Sequence, residues 1–370
     1  MNKFLNFPAA FADRQKRSSG AHLLSLDLVF FRRSLCAGLI AALAIFVMPA
    51  QAQGLFTLPD NPLLTGYITG TALLNQTGDR LGTFTPLEDG TFFDVSGNKS
   101  RYNTGSHVDV TSVSLLTGMS RQVKLTRGQM TIGAFFEYGN GDYDTFNSLD
   151  ATSPTQYSGG GNVHHVGGGV LGRMNFRHSG FYTEGSFRAG NLHNEFASID
   201  LGTGATSYDA SSPYLSTHFG IGGVHHISDT TSLDMYSKYF WSQHDSDTAS
   251  LSSGESVLFH DTASQRLQIG GRMTNTVNSR LSTYWGAAWG QEFVGTARGS
   301  SSGFFFGGPT LKGGTAVGEL GITWKPIKNV RLFIDVGLQG YMGKREGYGG
   351  GLQLRWQRGG GYSRSGCRAE

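Results

Sequence analysis

The chain has 370 residues, of which 55 are glycine, 38% are hydrophobic and 15% are charged. Glycine is about twice as frequent as the usual ~7%, whereas an aromatic content of 12% argues against a disordered chain. The formal net charge of +3 gives no indication of a nucleic-acid partner. The only cysteines, Cys36 and Cys367, lie near the two ends, which excludes a disulfide framework or a cysteine metal site in the body. This composition is typical of an all-β chain with a polar or small-residue interior.

Residues 1–52 have the pattern of an export signal peptide. Two arginines precede the apolar run 35–48, and small residues, Ala50 and Ala52, stand where a signal peptidase reads the chain. The run has 14 residues, too few for a helix that spans a bilayer core of ~30 Å. We therefore predict cleavage after Ala52. The long segment before the run indicates either an extended signal or a start codon downstream of Met1.

Residues 53–90 form a leader and the one segment whose spacing predicts a helix. The apolar residues with helical spacing are Leu63, Leu64, Tyr67, Ile68, Leu73, Leu74 and Leu81. Gly66 and Gly70 fall inside this helix, and each interior glycine costs about 1 kcal/mol relative to alanine. A helix here therefore needs a cavity in which to pack. The alternative is a disordered leader.

From residue 91 to residue 357, apolar and polar side chains alternate, as in strands with one apolar and one polar face. In the last strand pair, Ile334, Val336 and Leu338 fall on one face and Asp335 on the other. Twelve candidate strands follow from this alternation: 89–101, 107–123, 128–146, 161–177, 180–198, 212–227, 231–245, 256–276, 280–298, 309–325, 328–342 and 346–357.

The connections between these strands alternate in length. Long connections rich in Ser, Gly and Asp are predicted at 147–160, 198–212, 245–255 and 298–308. A soluble sandwich has no reason to place its long loops at one end, whereas an outer-membrane barrel has tight periplasmic turns and long outer loops. The short polar turn 343–347 is an exception on the long-loop side. We therefore predict an all-β transmembrane protein, a single antiparallel outer-membrane β-barrel of about 12 strands.

Several sequence blocks, in order along the chain, carry a resemblance to a known family. They are LLNQTGDRL (73–81), GNKSRYNTGSHVDV (97–110), GAFFEYGNGDYDTFN (133–147), SFRAGNLHNEF (186–196), SPYLSTHFGIG (212–222), LDMYSKYFW (233–241), LKGGTAVGELGITWKP (311–326) and GLQGYMGKREGYGGGLQL (337–354). Over about residues 63–357, the chain resembles the translocator β-domain of autotransporters, the type V secretion proteins. The resemblance implies a twelve-stranded barrel with an N-terminal helix in its pore.

The resemblance also implies a function. The helix would tether an N-terminal passenger that has crossed the barrel to the surface of a Gram-negative cell. The implied partners are outer-membrane lipid, periplasmic chaperones and the barrel-assembly machinery, with the barrel itself a monomer. No enzymatic activity and no cofactor are expected. The alternative function is a stand-alone, porin-like channel for small solutes, if the helix is mobile in the pore.

The chain departs from the family pattern at both ends. Only about ten residues separate the predicted cleavage site from the helix, too few for a passenger domain, and one interpretation is a remnant of a longer gene. The family's last residue is usually an aromatic that ends the final strand and forms part of the assembly signal. Here Leu352, Leu354 and Trp356 are predicted to carry that signal, and residues 358–370 to form a tail outside the barrel.

Charged residues on the polar faces are predicted to line the lumen as a polar track. The track consists of Glu137, Arg188, Lys238, Arg266, Arg272, Glu319, Asp335 and Arg355. It would hold the helix and ease the passage of a chain, although mutual ion pairing in a wet interior is the simpler interpretation. The predicted pore-helix residues are Leu73, Leu74, Asn75 and Leu81. Some autotransporters cut the tether with a helix Asn and a lumen carboxylate; Asn75 lies in the corresponding stretch, but we predict no catalytic residue.

Histidines suggest a third function, that of a surface hydrolase. His-Asp pairs occur at 244–245 and 260–261, and His doublets at 164–165 and 225–226. Outer-membrane proteases use Asp and His at strand ends, where a base activates water. Adjacent strand residues point to opposite faces, however, so neither kind of pair can act as one catalytic or metal-binding unit. The sequence therefore predicts no metal site.

Overall fold

The computed structural model describes the chain in six stretches: residues 61–83, 89–148, 156–177, 179–201, 205–327 and 332–357. The predictions for the signal peptide (1–52, with Ala50 and Ala52), for the start of the leader (53–60) and for the tail (358–370) lie outside these stretches.

In the part of the chain that the structure describes, one helix, α1 (Pro62–Gly82), precedes the strands. It begins at Pro62, because proline has a preset φ and the first helical residue needs no N–H donor. The side chain of Asn61 caps it by accepting a hydrogen bond of 2.9 Å from the Leu63 backbone N–H. Of its 21 residues, 18 are buried, so packing stabilises a helix that its glycines weaken. Within the described stretches, no helix is long and apolar enough to span a membrane.

Sixteen strands follow in the described stretches. In chain order they are β1 (Gly90–Asn103), β2 (His107–Leu125), β3 (Gly128–Ser148), β4 (Gln156–Phe176), β5 (Phe181–Ser198), β6 (Thr206–His226), β7 (Thr231–His244), β8 (Asp247–Ser250), β9 (Ser256–Phe259), β10 (Thr262–Asn278), β11 (Leu281–Glu292), β12 (Thr296–Ser301), β13 (Phe304–Thr310), β14 (Gly313–Trp324), β15 (Leu332–Gly343) and β16 (Arg345–Gln357).

Twelve of these strands close into one barrel, in the order β1-β16-β15-β14-β11-β10-β7-β6-β5-β4-β3-β2. Each neighbouring pair is antiparallel, and β1 closes the barrel against β16 from Gly90 opposite Gln357 to Tyr102 opposite Arg345. The predicted strand number and the predicted single antiparallel barrel are confirmed. Closure leaves no barrel strand with an unpaired edge.

The two faces of the barrel wall differ in chemistry. Phe136 on β3, Trp285 on β11 and Leu320 on β14 point outward and are exposed, whereas Glu137 next to Phe136 is fully buried in the interior. The alternation of side chains along each strand produces this division. An apolar outer face and a polar inner face were both predicted from the sequence.

The remaining strands form a separate four-stranded sheet in the order β13-β12-β9-β8, at the end that carries the long connections. The predicted continuous strands 256–276, 280–298 and 309–325 are therefore wrong, as are the predicted loops 245–255 and 298–308. The chain leaves the barrel wall after Glu292 and returns at Gly313, whose φ of 140° favours glycine. We term this sheet the cap. The cap covers α1, and burial of Val257 and Phe259 among the helix side chains stabilises it there.

Other strand boundaries also differ from the predictions. β4 and β6 begin at Gln156 and Thr206, earlier than the predicted 161 and 212, because ladder pairing continues into the Ser- and Gly-rich segments. Arg345 is the first residue of β16 rather than part of a five-residue turn. The chain reverses at Gly343 and Lys344, and Gly343 has a φ of 119°.

Candidate functional site in the barrel lumen

The first half of α1 packs in an apolar pocket beneath the cap. Leu64, Tyr67 and Ile68 share one buried cluster with cap residues Val257 and Phe259. The rings of Tyr67 and Phe259 are stacked, with their centroids 4.4 Å apart. The cap therefore covers the N-terminal end of the helix, and apolar burial stabilises this end.

Two glycines of α1 allow the barrel wall to approach the helix closely. A Cβ atom at Gly66 would lie 2.6 Å from the Phe196 ring and 2.9 Å from the hydroxyl oxygens of Tyr143 and Tyr208. A Cβ atom at Gly70 would collide with the side chain of Leu192. The glycines that weaken the isolated helix are thus required by its surroundings.

The middle of α1 is hydrogen-bonded to the wall. Thr71 Oγ1 lies 3.0 Å from His244 Nε2. Asn75, a predicted pore-helix residue, donates from its amide to Ser264 Oγ at 3.0 Å, and Ser264 donates to Glu292 at 2.6 Å. Polar groups in the lumen therefore find partners on the helix, as buried polar groups must.

The predicted pore-helix leucines are all buried. Leu73 and Leu74 belong to the cluster beneath the cap. Leu81 belongs to a second cluster, formed with wall residues Phe92, Leu116, Phe135 and Leu171. Apolar contacts thus hold the helix near both of its ends.

A buried ion pair of the predicted polar track lies beside the middle of the helix. Arg188 Nη1 and Glu137 Oε2 are 3.2 Å apart, and the side chains are only 3% and 0% exposed. Tyr214 donates to the same carboxylate, and Arg188 also donates to the backbone carbonyl of Leu74 at 2.6 Å. Arg188 therefore connects the wall to the helix backbone.

The C-terminal end of α1 is surrounded by cations. Lys238 pairs with Glu184 at 2.8 Å and donates to the carbonyl of Gly82. Arg266 pairs with the helix residue Asp79 at 2.7 Å. Cations are favourable here because a helix C-terminus carries partial negative charge and unpaired carbonyls. Glu137, Arg188, Lys238 and Arg266 thus all belong to the helix environment, which we term the helix-filled half of the lumen.

Two charged residues of the helix complete its attachment. Asp79 lies between Arg266 and Arg345, with the Arg345 Nη1 at 3.3 Å. Arg80 makes a bidentate contact with Asp94, at 2.8 and 2.6 Å. Bidentate pairs between guanidinium and carboxylate groups are strong and directional. These contacts fix both the depth and the rotation of the helix in the lumen.

The other four members of the predicted track lie beyond the C-terminal end of α1. Arg272 pairs with Glu319 through two contacts of 2.7 Å, and Asp335 accepts a hydrogen bond from Tyr284 at 3.1 Å. With Arg355, they line a cavity of about 280 Å³ that begins beside Arg80 and Thr83. We term this the cavity half of the lumen. The structure therefore divides the predicted track into two sets of different surroundings.

Two of the histidines named from the sequence lie in the lumen rather than at the surface. His244 is fully buried against the helix rather than exposed on a loop. His165 points inward and is buried, while His164 points outward, so the doublet is split as predicted. His165 Nε2 lies 3.4 Å from Thr77 of the helix.

Several residues of the site were missed by sequence reasoning: Asp79, Arg80, Asp94, Glu292 and Arg345. The block LLNQTGDRL contains Asp79 and Arg80, and it signals charges at the end of a helix. Nothing in the sequence identifies their partners, because these depend on how deeply the helix enters the barrel.

Residues 90–337, about two thirds of the chain, match the sequence model of the autotransporter beta-domain family. The chain belongs to the autotransporter β-domain family. The resemblance noted from the sequence is thereby confirmed. No protein with a curated description is significantly similar to this autotransporter β-domain in sequence.

Solved autotransporter barrels have the same fold. The translocator domain of NalP from Neisseria meningitidis superposes with a TM-score of 0.62 at 11% identity, covering 80% of this chain and 99% of that one. The β-domain of the Bordetella autotransporter BrkA gives 0.59 at 13% identity, covering 74% and 100%. The transport unit of AIDA-I from Escherichia coli gives 0.57 at 15% identity, covering 80% and 99%.

Membership of this family determines the broad function. Autotransporter β-domains are outer-membrane translocator barrels, and they are transporters rather than enzymes. The predicted class, a closed barrel of twelve antiparallel strands with a helix in its lumen, is confirmed.

Proposed function

We propose that this autotransporter barrel is held in a plugged state, in which α1 closes the lumen and directs the preceding chain to the cell surface. The proposal rests on the direction in which α1 runs through the barrel. Its N-terminal end packs beneath the cap at the end of the long connections, and Arg80 near its C-terminal end contacts Asp94 near the start of β1. A chain that enters from the periplasm and leaves at the surface has this direction.

The fixed position of the helix supports a plug. Apolar burial holds its first half, and ion pairs with both sides of the wall hold its last turn. The channel alternative requires these contacts to break, and at the surface end the cap must move as well. The plugged translocator is therefore the function that the geometry favours.

The proposal also includes the export of the chain and its location in the membrane. A signal peptide ending at Ala52 would export the chain, and the barrel would reside as a monomer in the outer membrane. Its exposed apolar belt would face lipid, since a transmembrane barrel alternates lipid-facing and lumen-facing residues. Periplasmic chaperones and the barrel-assembly machinery would deliver it.

Cysteine labelling tests the orientation. In a Cys367→Ser background, Ser253→Cys at a cap turn should react with a membrane-impermeant maleimide on intact cells. Asp229→Cys, in the short turn between β6 and β7, should react only after the outer membrane is permeabilised. Both side chains are exposed, so a difference in labelling reports the side of the membrane and not burial in the protein. Labelling of Asp229→Cys alone on intact cells would reverse the proposed direction and refute the proposal.

Truncation tests the assembly signal. β16 pairs with β1 as far as Gln357, so removal of residues 358–370 leaves the closing ladder intact. We expect the yield of heat-resistant barrel to stay the same or rise. Removing the chain from Leu354 onward, which deletes Trp356, should lower that yield by contrast. A lower yield after the first truncation would contradict the prediction.

A further inference from the structure

Outside the lumen, a group of histidines and carboxylates meets on the outer wall of β4, β5 and β6. In the strand register, His164 is opposite His193, and Glu195 is opposite Asp209. We term the group the outer histidine cluster. It consists of His164, His193, Glu195 and Asp209.

The cluster lies just above the apolar belt, toward the end with the long connections. On β4, the next outward residue below His164 is Val166, which is exposed. Phe187 on β5 and Leu215 on β6 are exposed below His193 and Asp209. The cluster therefore lies above the apolar residues of the outer wall, among polar outward residues such as Asn191.

His193 has a carboxylate at each ring nitrogen. Its Nε2 lies 3.2 Å from Glu195 Oε1, and its Nδ1 lies 3.4 Å from Asp209 Oδ1. One donor atom from each of the three residues can be chosen so that all lie within 4.8 Å of one another. The His164 ring is adjacent, with its centroid 4.7 Å from that of His193. A rotation of the His164 ring would therefore bring a second imidazole nitrogen toward the three donor atoms.

The charges of the cluster point to a cation. Like charges placed directly opposite on neighbouring strands are destabilising, and Glu195 and Asp209 form such a pair. A divalent ion between the two carboxylates removes this repulsion.

We propose that His193, Glu195 and Asp209 bind a Zn²⁺-class divalent transition metal, with His164 as a fourth ligand. Imidazole and carboxylate groups together are ligands of Zn²⁺, whereas Ca²⁺ and Mg²⁺ prefer oxygen ligands alone. All four side chains project from paired strands, so the backbone holds the ligand positions in fixed register.

Isothermal titration tests the proposal on the full chain, folded in detergent micelles and freed of metal with EDTA. With ZnCl₂ as titrant, we expect one saturable site per barrel, undisturbed by an excess of MgCl₂ or CaCl₂. His193→Ala and Asp209→Asn should each weaken Zn²⁺ binding by about ten-fold or more, since each removes a proposed ligand. His226→Ala, an exposed histidine at the opposite end of the barrel, should leave the affinity unchanged.

The absence of a saturable Zn²⁺ site would overturn the proposal, as would an affinity that His193→Ala leaves unaltered. Displacement of Zn²⁺ by an equal concentration of Ca²⁺ would overturn the assignment to a transition metal. An unchanged affinity in His164→Ala would remove His164 from the ligand set. The heat-dependent gel mobility of each variant checks that the barrel has folded.

Discussion

The two halves of the lumen contain the same kinds of charged residue and use them differently. In the helix-filled half, Arg188 and Glu137 are almost completely buried and are joined to the helix backbone. In the cavity half, Arg272 is 23% exposed and pairs with Glu319 at the edge of an open space. The difference shows that the role of an inward-pointing charge depends on whether the helix or a cavity lies beside it.

The charges in one half hold the helix in place, whereas those in the other half are accessible to water. Charges around α1 have lost most of their contact with water, so each needs a partner, and those partners fix the helix. Charges in the cavity half can be hydrated if a partner is lost. We therefore expect the same substitution to have different consequences in the two halves.

The largest difference is expected between Arg188→Met and Arg272→Met. Loss of Arg188 leaves the Glu137 carboxylate buried without its cation, which costs about 3–5 kcal/mol of unfolding free energy. Loss of Arg272 leaves the Glu319 carboxylate beside the cavity, where water can reach it, so the cost should be smaller, about 1–3 kcal/mol. Urea unfolding in detergent micelles, followed by tryptophan fluorescence, measures both. Equal losses would show that the two halves are equivalent.

A second comparison concerns helix glycines with different neighbours. Gly66→Ala places a Cβ against the Phe196 ring, and overpacking of this kind costs about 1–3 kcal/mol. At Gly78 the nearest atom is Arg188 Nη2, at 3.2 Å, so a Cβ there requires a shift of only a few tenths of an ångström. Gly78→Ala should therefore leave the stability unchanged or raise it slightly, because better helix propensity, worth up to about 1 kcal/mol, offsets the crowding of Arg188.

The temperature at which the folded gel band converts to the unfolded one measures this pair. We expect it to fall for Gly66→Ala and to stay or rise for Gly78→Ala. A fall of similar size in both variants would mean that the helix is packed uniformly, contrary to the structure.

The smallest effect is expected for Asp79→Asn, compared with Asp335→Asn. Asp79 joins the helix to Arg266 and Arg345, whereas Asp335 contacts Tyr284 in the cavity half. If Asp79→Asn weakens helix docking by ~1.4 kcal/mol, the open population rises about ten-fold. Single-channel recording in planar bilayers should detect more frequent openings for Asp79→Asn only. Full conductance of the unaltered protein would instead favour the channel alternative.

The sequence predicted much of the barrel because side-chain alternation is a local property. Each run such as Phe135 to Tyr138 shows which side chains share a face without any knowledge of the neighbouring strand. The helix was predicted for the same reason, from spacing within one segment. The cap was missed because strands such as 256–259 continue the period of the barrel strands, and only contacts with Tyr67 of the helix separate them.

The charged site was predicted less completely. All eight residues of the polar track were placed inside the barrel by their faces, but their division between two halves was not. Arg345 was assigned to a turn because glycines flank it, although its guanidinium lies against Asp79 of the helix. Glycine in a barrel strand can accommodate a neighbouring side chain as well as a turn.

The sequence by itself determined the fold class, the number of barrel strands, the family and the existence of a helix. Each of these rests on a period or a block that is read along the chain. Tertiary structure alone decided which charges pair, how the cap covers Tyr67, and that Glu195 faces Asp209 beside His193. These features depend on the stagger between neighbouring strands and on how deeply the helix enters the barrel. Both are fixed by contacts between residues far apart in sequence, and a single sequence carries no direct record of such contacts.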